Sequence, residues 1–140
     1  MRAIIFLAVF VAGCAGLPTE DQAREEEMLI AASALTKLAA AAEASVRYGN
    51  PPENLSDEEF LQFATAHDPA LLRPFAQYRL KALRQDRHAV ILVCSADGSI
   101  ALIEDAGCTA QSDRHHWKQA PPPPCNFTVK PGPLCQGTGQ

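Results

Sequence analysis

The chain begins with an unbroken apolar run, Ala3 to Val11, behind one cationic residue, Arg2. A span of that length is too short for a bilayer, which takes about 20 apolar residues. A charged start, an apolar stretch and small residues at its end have the layout of a cleaved export signal. Thr19, with Gln22 three places on, has the form of a capping box, and Glu20 and Asp21 suit a helix start. No Pro or Gly follows until after Tyr48. Met28, Ala31, Leu35, Leu38, Ala42 and Ser45 step by three and four, a heptad seam with small residues on it. The seam predicts either an amphipathic helix packed on its own domain or a contact face for a second protein or a second copy. Gly49-Asn50-Pro51-Pro52 ends the helix.

Ser56 and Glu59 form a second capping box, flanked by Leu55 and Phe60 as a hydrophobic staple, and predict a helix to about His67. Asp68-Pro69 reads as a cap and first helical residue, giving a short turn over 69–73. A further helix is expected from Pro74 to about Asp86, with Phe75, Tyr78, Ala82 and Leu83 on one face. At His88 the spacing changes to a β-branched run ending at Cys94. Asp97-Gly98 separates it from Ile100 to Ile103, a strong hairpin signal. A two-residue turn there pairs Ala96 with Ser99, Cys94 with Ala101 and Leu92 with Ile103. Both ribbon faces are apolar, so helices are expected on one and the Cys-rich tail on the other. Pro121 to Pro124 favour polyproline II, and 126–129 has the composition of a short edge strand.

These elements predict an α+β fold: three or four helices packed on a β-hairpin, with a disulfide-stapled, Pro-rich C-terminal segment. The expected divisions are a signal peptide over 1–13, a tether over 14–18, a helical region over 19–87, a hairpin and Cys-rich region over 88–130, and an irregular tail over 131–140. The chain's 140 residues allow one modest domain. A net charge of −4 argues against general nucleic-acid binding, which needs a dense basic surface.

Val11-Ala12-Gly13-Cys14 resembles the lipobox of bacterial lipoproteins, and every position of the match fits. The resemblance covers about the first fourteen residues. It implies cleavage before Cys14 and fatty acylation (palmitate or a similar chain) of that residue. Two or more acyl chains anchor stably, where one gives only marginal binding. Ala15, in place of Asp, resembles an outer-membrane address in the enterobacterial sorting pattern. The implied partner is therefore the membrane, through the lipid on Cys14. Lipidation also leaves an even set of thiols, Cys94, Cys108, Cys125 and Cys135, in an oxidising compartment. They allow three pairings. Joining Cys94 to Cys108 would need the chain after Asp105 to fold back.

Candidate chemistry is sparse. His115 and His116 are weak metal candidates, with His67 or His88 as helpers, but a site needs three or four converging ligands. Glu104-Asp105 reads as an exposed strand end, because consecutive strand residues face opposite sides. No phosphate loop, nucleophile elbow or zinc-protease helix is present. Residues 20–27 carry five acids, and residues 73–87 carry five bases; pairing between these patches, or with helix dipoles, is expected. The sequence thus points to a non-enzymatic, cofactor-free lipoprotein on the periplasmic side of the outer membrane, with a structural or protein-interaction role. A hydrolase inhibitor is the alternative, although lipoproteins that inhibit lysozyme resemble all-β barrels. A metal or small-ligand binder is another.

Overall fold

The computed structural model describes residues 19–110, 112–113 and 120–136. Helix α1 spans Glu20–Ala44 and continues as one π-helical turn, Ser45–Gly49. Its start is the capping box read from the sequence: Thr19 Oγ1 accepts from the Gln22 amide at 3.4 Å, and the Thr19 amide donates to Gln22 Oε1 at 3.1 Å. Asn50 ends the turn in the left-handed conformation, φ 48°, which Asn tolerates better than most residues. Helix α2, Asp57–Ala64, carries the second capping box between Ser56 and Glu59. A 3-10 helix, Pro69–Phe75, follows, with Asp68 accepting from the Ala70 amide.

From Arg79 the chain departs from the expected helix. Strand β1, Arg79–Gln85, occupies most of that segment, so the helical region ends at residue 75 rather than 87. The apolar positions fit a helical stripe and a two-residue alternation equally well. Partners decide between them. Leu80, Ala82 and Arg84 share one strand face, and β1 lies in register with all of β2, His88–Cys94, from Arg79↔Cys94 to Gln85↔His88. The connection is Asp86-Arg87, with φ 52° and 63°. Two left-handed residues in succession are the geometry of a type I′ hairpin turn. Neither is glycine, so the usual sequence signal is missing.

Strand β3, Ala101–Ala106, pairs antiparallel with β2, and β4, Ser112–Asp113, adds a two-residue edge, giving the order β1-β2-β3-β4. Cys94 faces Ala101 as expected, but a bulge shifts the register, so Val93 rather than Leu92 opposes Ile103. The turn itself is longer than two residues: the Ser95 amide donates to the Ile100 carbonyl, and Gly98 takes φ 76°. Asp97 accepts from Ser95 and Ser99, which holds its carboxyl down to about 2.

The sheet is covered on both sides. Helix α1 packs on β2 and β3, and α2 on β1. Leu35, Leu38, Ala39 and Ala42 meet Ala89, Ile91, Val93 and Ile103 there, with Phe60 and Phe75 closing the cluster. The opposite face holds Leu92, Cys94 and Ala101 against Cys125 and Phe127. Within the seam, Met28, Leu35, Leu38, Ala42 and Ser45 are buried and Ala31 half-buried. It is spent inside the domain and is not a free contact face. The helix and its π turn are long and apolar enough by composition to cross a membrane. One stripe of it packs on the sheet.

Two disulfides staple the C-terminal segment: Cys94–Cys125 and Cys108–Cys135, with Cα separations of 5.7 and 5.6 Å. Closing loops of this length stabilises by about 3–4 kcal/mol each in the chain-entropy model. No strand forms over 126–129; the tail makes one bridge further upstream, Ile100↔Pro124. Prolines lack the amide that a ladder needs, so only the Cys125 amide donates there, to Ser99. The expected irregular tail contains one helical turn, α3, Pro131–Cys135.

Gly107 sets how closely α1 meets the end of β3. A Cβ on it would overlap the Ala39 carbonyl and the Glu43 side chain. Substitution Gly107→Ala is expected to destabilise by about 1–3 kcal/mol or more, the cost of overpacking. Chemical denaturation measures this, and an unchanged midpoint would contradict the packing argument.

Candidate functional site

A buried polar cluster lies where the C-terminal end of α1 meets the start of β2. Glu43 is buried on the last turn of α1. Arg47, one turn on, donates from Nε to Glu43 Oε1 at 2.7 Å. His88, the first residue of β2, places Nδ1 2.7 Å from the same oxygen, and the Ala89 amide donates to Oε2 at 2.8 Å. A buried carboxylate is tolerated when it is paired and hydrogen-bonded, and both oxygens here have partners. Nδ1 of His88 also lies 3.2 Å from Arg47 Nη2. Arg47 can only donate, so the shorter contact is Nδ1–H of His88 donating to Glu43 Oε1. Arg87, in the type I′ turn, donates to the Arg47 carbonyl at 2.8 Å and ties the turn to the helix.

The Cys108–Cys135 disulfide borders this cluster. One ring nitrogen of His88 and the two Sγ atoms all lie within 4.8 Å of one another. Among the described residues, this is the one group of three or more His, Cys, Asp or Glu side chains placed to meet at a point. A carboxylate-oriented imidazole has the geometry of a general base, but its sulfur neighbours are consumed in a covalent bond.

Glu104 and Asp105 are not the exposed strand end expected of them; both are buried. They do face opposite sides. Glu104 points to the tail, where the Thr128 amide donates to Oε2 at 3.0 Å and the Thr128 hydroxyl donates to Oε1. Asp105 points to α1, with Oδ2 2.8 Å from Thr36 Oγ1 and Oδ1 buried without a hydrogen-bond partner. Burial pushes the Asp105 carboxyl up to about 7, against the smaller opposing effect of the Thr36 hydrogen bond. The Thr36 hydroxyl donates to Asp105 Oδ2 and also lies 3.1 Å from the Ala32 carbonyl. Two carboxylates split between two faces share no cleft and form no acid–base pair.

The basic residues of 73–87 do not form a helical patch answering the acids of 20–27. Several serve backbone carbonyls instead. Arg84 donates to Pro52, Glu53 and Leu55 and lies 4.9 Å over the Phe60 ring; Arg79 donates to Ala96, and Lys81 to Cys125. His67 is exposed after α2. Cys14 of the lipobox, and His115 and His116, lie outside the described residues.

Compared with protein-family models, curated proteins and solved structures, the chain shows no match. Its chemistry therefore has to be read from its own side chains. The sequence reading missed Glu43, Arg47 and the central place of His88. One signal was present: Glu43 is the single acid in an alanine-rich stretch, four residues beyond Ala39 and eight beyond Leu35 on the buried stripe.

Buried Asp105 on β3 predicts a pH response. Unfolded Asp105 titrates near 3.8 and folded Asp105 near 7. Between those values the unfolded chain releases the proton while the folded chain keeps it, so this group's contribution falls as pH rises from about 4 to about 7 and then levels off. Asp105→Asn, which keeps a donor toward Thr36, is expected to flatten this slope. It should raise stability at pH 8 by on the order of 1–3 kcal/mol, after allowance for solvent screening. Thermal melts of both proteins from pH 4 to 8 test it; parallel curves would count against a neutral Asp105.

Proposed function

We propose that this chain is a lipid-anchored lipoprotein on the periplasmic side of a bacterial outer membrane, with a structural or protein-interaction role, and that it is not an enzyme. The lipobox at Val11-Ala12-Gly13-Cys14 supports the anchor, and the even set of paired cysteines fits an oxidising compartment. The observation that carries the interaction role is an uncovered apolar patch on α1 beside its buried stripe. Leu29 is 48% and Ile30 62% exposed on the N-terminal half of α1. They border a groove of about 520 Å³ shared with Leu71 and Pro74 of the 3-10 helix, with Lys37 and Asp68 also lining it. Large apolar side chains grouped beside a concave surface are a common mark of a contact site.

Position fits the role. Residues 15–18 reach roughly 13 Å when extended. Leu29 lies nine residues into α1, about 14 Å along its axis at 1.5 Å per residue. A partner engaging this groove would work close to the membrane surface. The mixed helical architecture lends nothing to the inhibitor reading, whose models are all-β barrels.

The anchor is tested by Cys14→Ser. The wild-type protein should enter the detergent phase and show acyl mass, and the variant should do neither; equal partitioning and no acyl mass in the wild type would overturn the anchor. For the interaction role, Leu29→Asp combined with Ile30→Asp should abolish in-cell crosslinks placed at Ser33. Stability should change by no more than about 0.5 kcal/mol, as for exposed positions. Crosslinks that persist unchanged would remove the groove from the reading.

A further inference from the structure

The two disulfides occupy chemically different settings. Cys94–Cys125 is enclosed by Leu92, Ala101 and Phe127, an apolar cluster that offers no further ligand. Cys108–Cys135 adjoins the imidazole of His88, whose Nδ1 is held by a buried carboxylate. We propose that, once reduced, Cys108 and Cys135 join His88 to form a binding site for a thiophilic divalent cation such as Zn²⁺, with Glu43 as the group that orients the imidazole.

The distances suit this chemistry. Zinc takes sulfur at about 2.3 Å and imidazole nitrogen at about 2.0–2.1 Å in tetrahedral geometry, which puts ligand atoms roughly 3.3–3.8 Å apart. The two sulfurs are bonded to each other and one imidazole nitrogen lies within 4.8 Å of both, so after reduction the sulfurs part to roughly the spacing of a tetrahedral site while the nitrogen draws in. His88 is the fixed member: Glu43 holds its Nδ1, and the carboxylate–histidine–metal arrangement leaves Nε2 to bind. The two cysteines sit on short segments, Cys108 just past β3 and Cys135 at the end of the five-residue α3, which can adjust around the ion.

Charge balances as well. Two thiolates neutralise the dication, and Glu43 is already paired with Arg47, so the half-buried site gains no net charge. His88 and Cys108 are partly exposed, which gives the ion an entry path and leaves water as the fourth ligand. The step balances with a dithiol as reductant: two electrons and two protons pass to the Cys108–Cys135 bond, giving two thiols and a disulfide on the donor. The incoming cation then displaces both thiol protons. Metal loading and disulfide formation compete for the same sulfurs, so oxidation releases the ion.

The test uses the full-length protein in detergent, oxidised or reduced with a phosphine, titrated with Zn²⁺ and, for its thiolate absorption bands, Co²⁺. Reduced protein should bind one equivalent at this site, and oxidised protein none. His88→Ala should weaken binding more than about 100-fold, and Glu43→Gln by about 10–100-fold, as for outer-shell partners. The paired change Cys94→Ser and Cys125→Ser should leave one equivalent bound, with Co²⁺ bands intact. Circular dichroism reports whether each protein keeps its helices. Absence of uptake by the reduced protein, folded or not, would overturn the proposal, as would binding that survives His88→Ala or that follows Cys94 and Cys125 instead.

Discussion

The close approach of α1 to the sheet is the constraint on which the other features depend. An alanine-rich stripe lets the helix axis come near β2 and β3, and Gly107 removes the one side chain that would hold them apart. Small side chains bury little area each, so the helix must lie close for the interior to reach ordinary packing density. That closeness also brings polar groups inside. Glu43 and Asp105 fall on the contact because the helix and sheet meet there, and each requires a partner that the approach itself delivers: the Ala89 amide for one, the Thr36 hydroxyl for the other. Buried charge here follows from packing as much as from any chemistry the molecule performs.

Strand β2 is the second organising element. Its residues from Ala89 to Cys94 are all buried, which an antiparallel strand achieves only when both sheet faces are covered. One cover, the helices, supplies apolar side chains. The other, the C-terminal segment, is poor in them, and it is fixed by different means: two disulfides, the Lys81 bond to the Cys125 carbonyl, and Glu104 receiving Thr128. Point attachments replace area where a Pro-rich chain cannot build an independent core.

Elements with local signals were legible in the sequence. Both capping boxes, the Asp68-Pro69 start, the apolar run of β2 and the α+β layering with a stapled tail are present as read. What failed was decided by distant contacts. The segment Arg79–Gln85 has too few apolar residues to fix its period, and only pairing with β2 makes it a strand. The type I′ turn at Asp86-Arg87 lacks glycine, so nothing local announced it. Glu104 and Asp105 obeyed the alternation rule, yet exposure could not be read from it, since the layers covering each face come from residues far along the chain. The Glu43–His88 pair spans 45 positions, and no short motif encodes such a meeting.

The molecule's polar groups differ in what their surroundings ask of them. Glu104 accepts two hydrogen bonds from one threonine, and the contact fixes the tail. Arg84 spends its donors on three carbonyls of a loop that has no regular structure to satisfy them. Each of these completes its hydrogen bonding within a single structural task. His88 differs, because one of its ring nitrogens alone makes the Glu43 contact. One ring nitrogen also lies within 4.8 Å of both sulfurs of the Cys108–Cys135 disulfide. A fold needing only a buried tie for Glu43 is served by Arg47 and the Ala89 amide alone. An imidazole next to a partly exposed disulfide is more than this packing requires, and it marks this end of α1 as the place where structure and chemistry diverge.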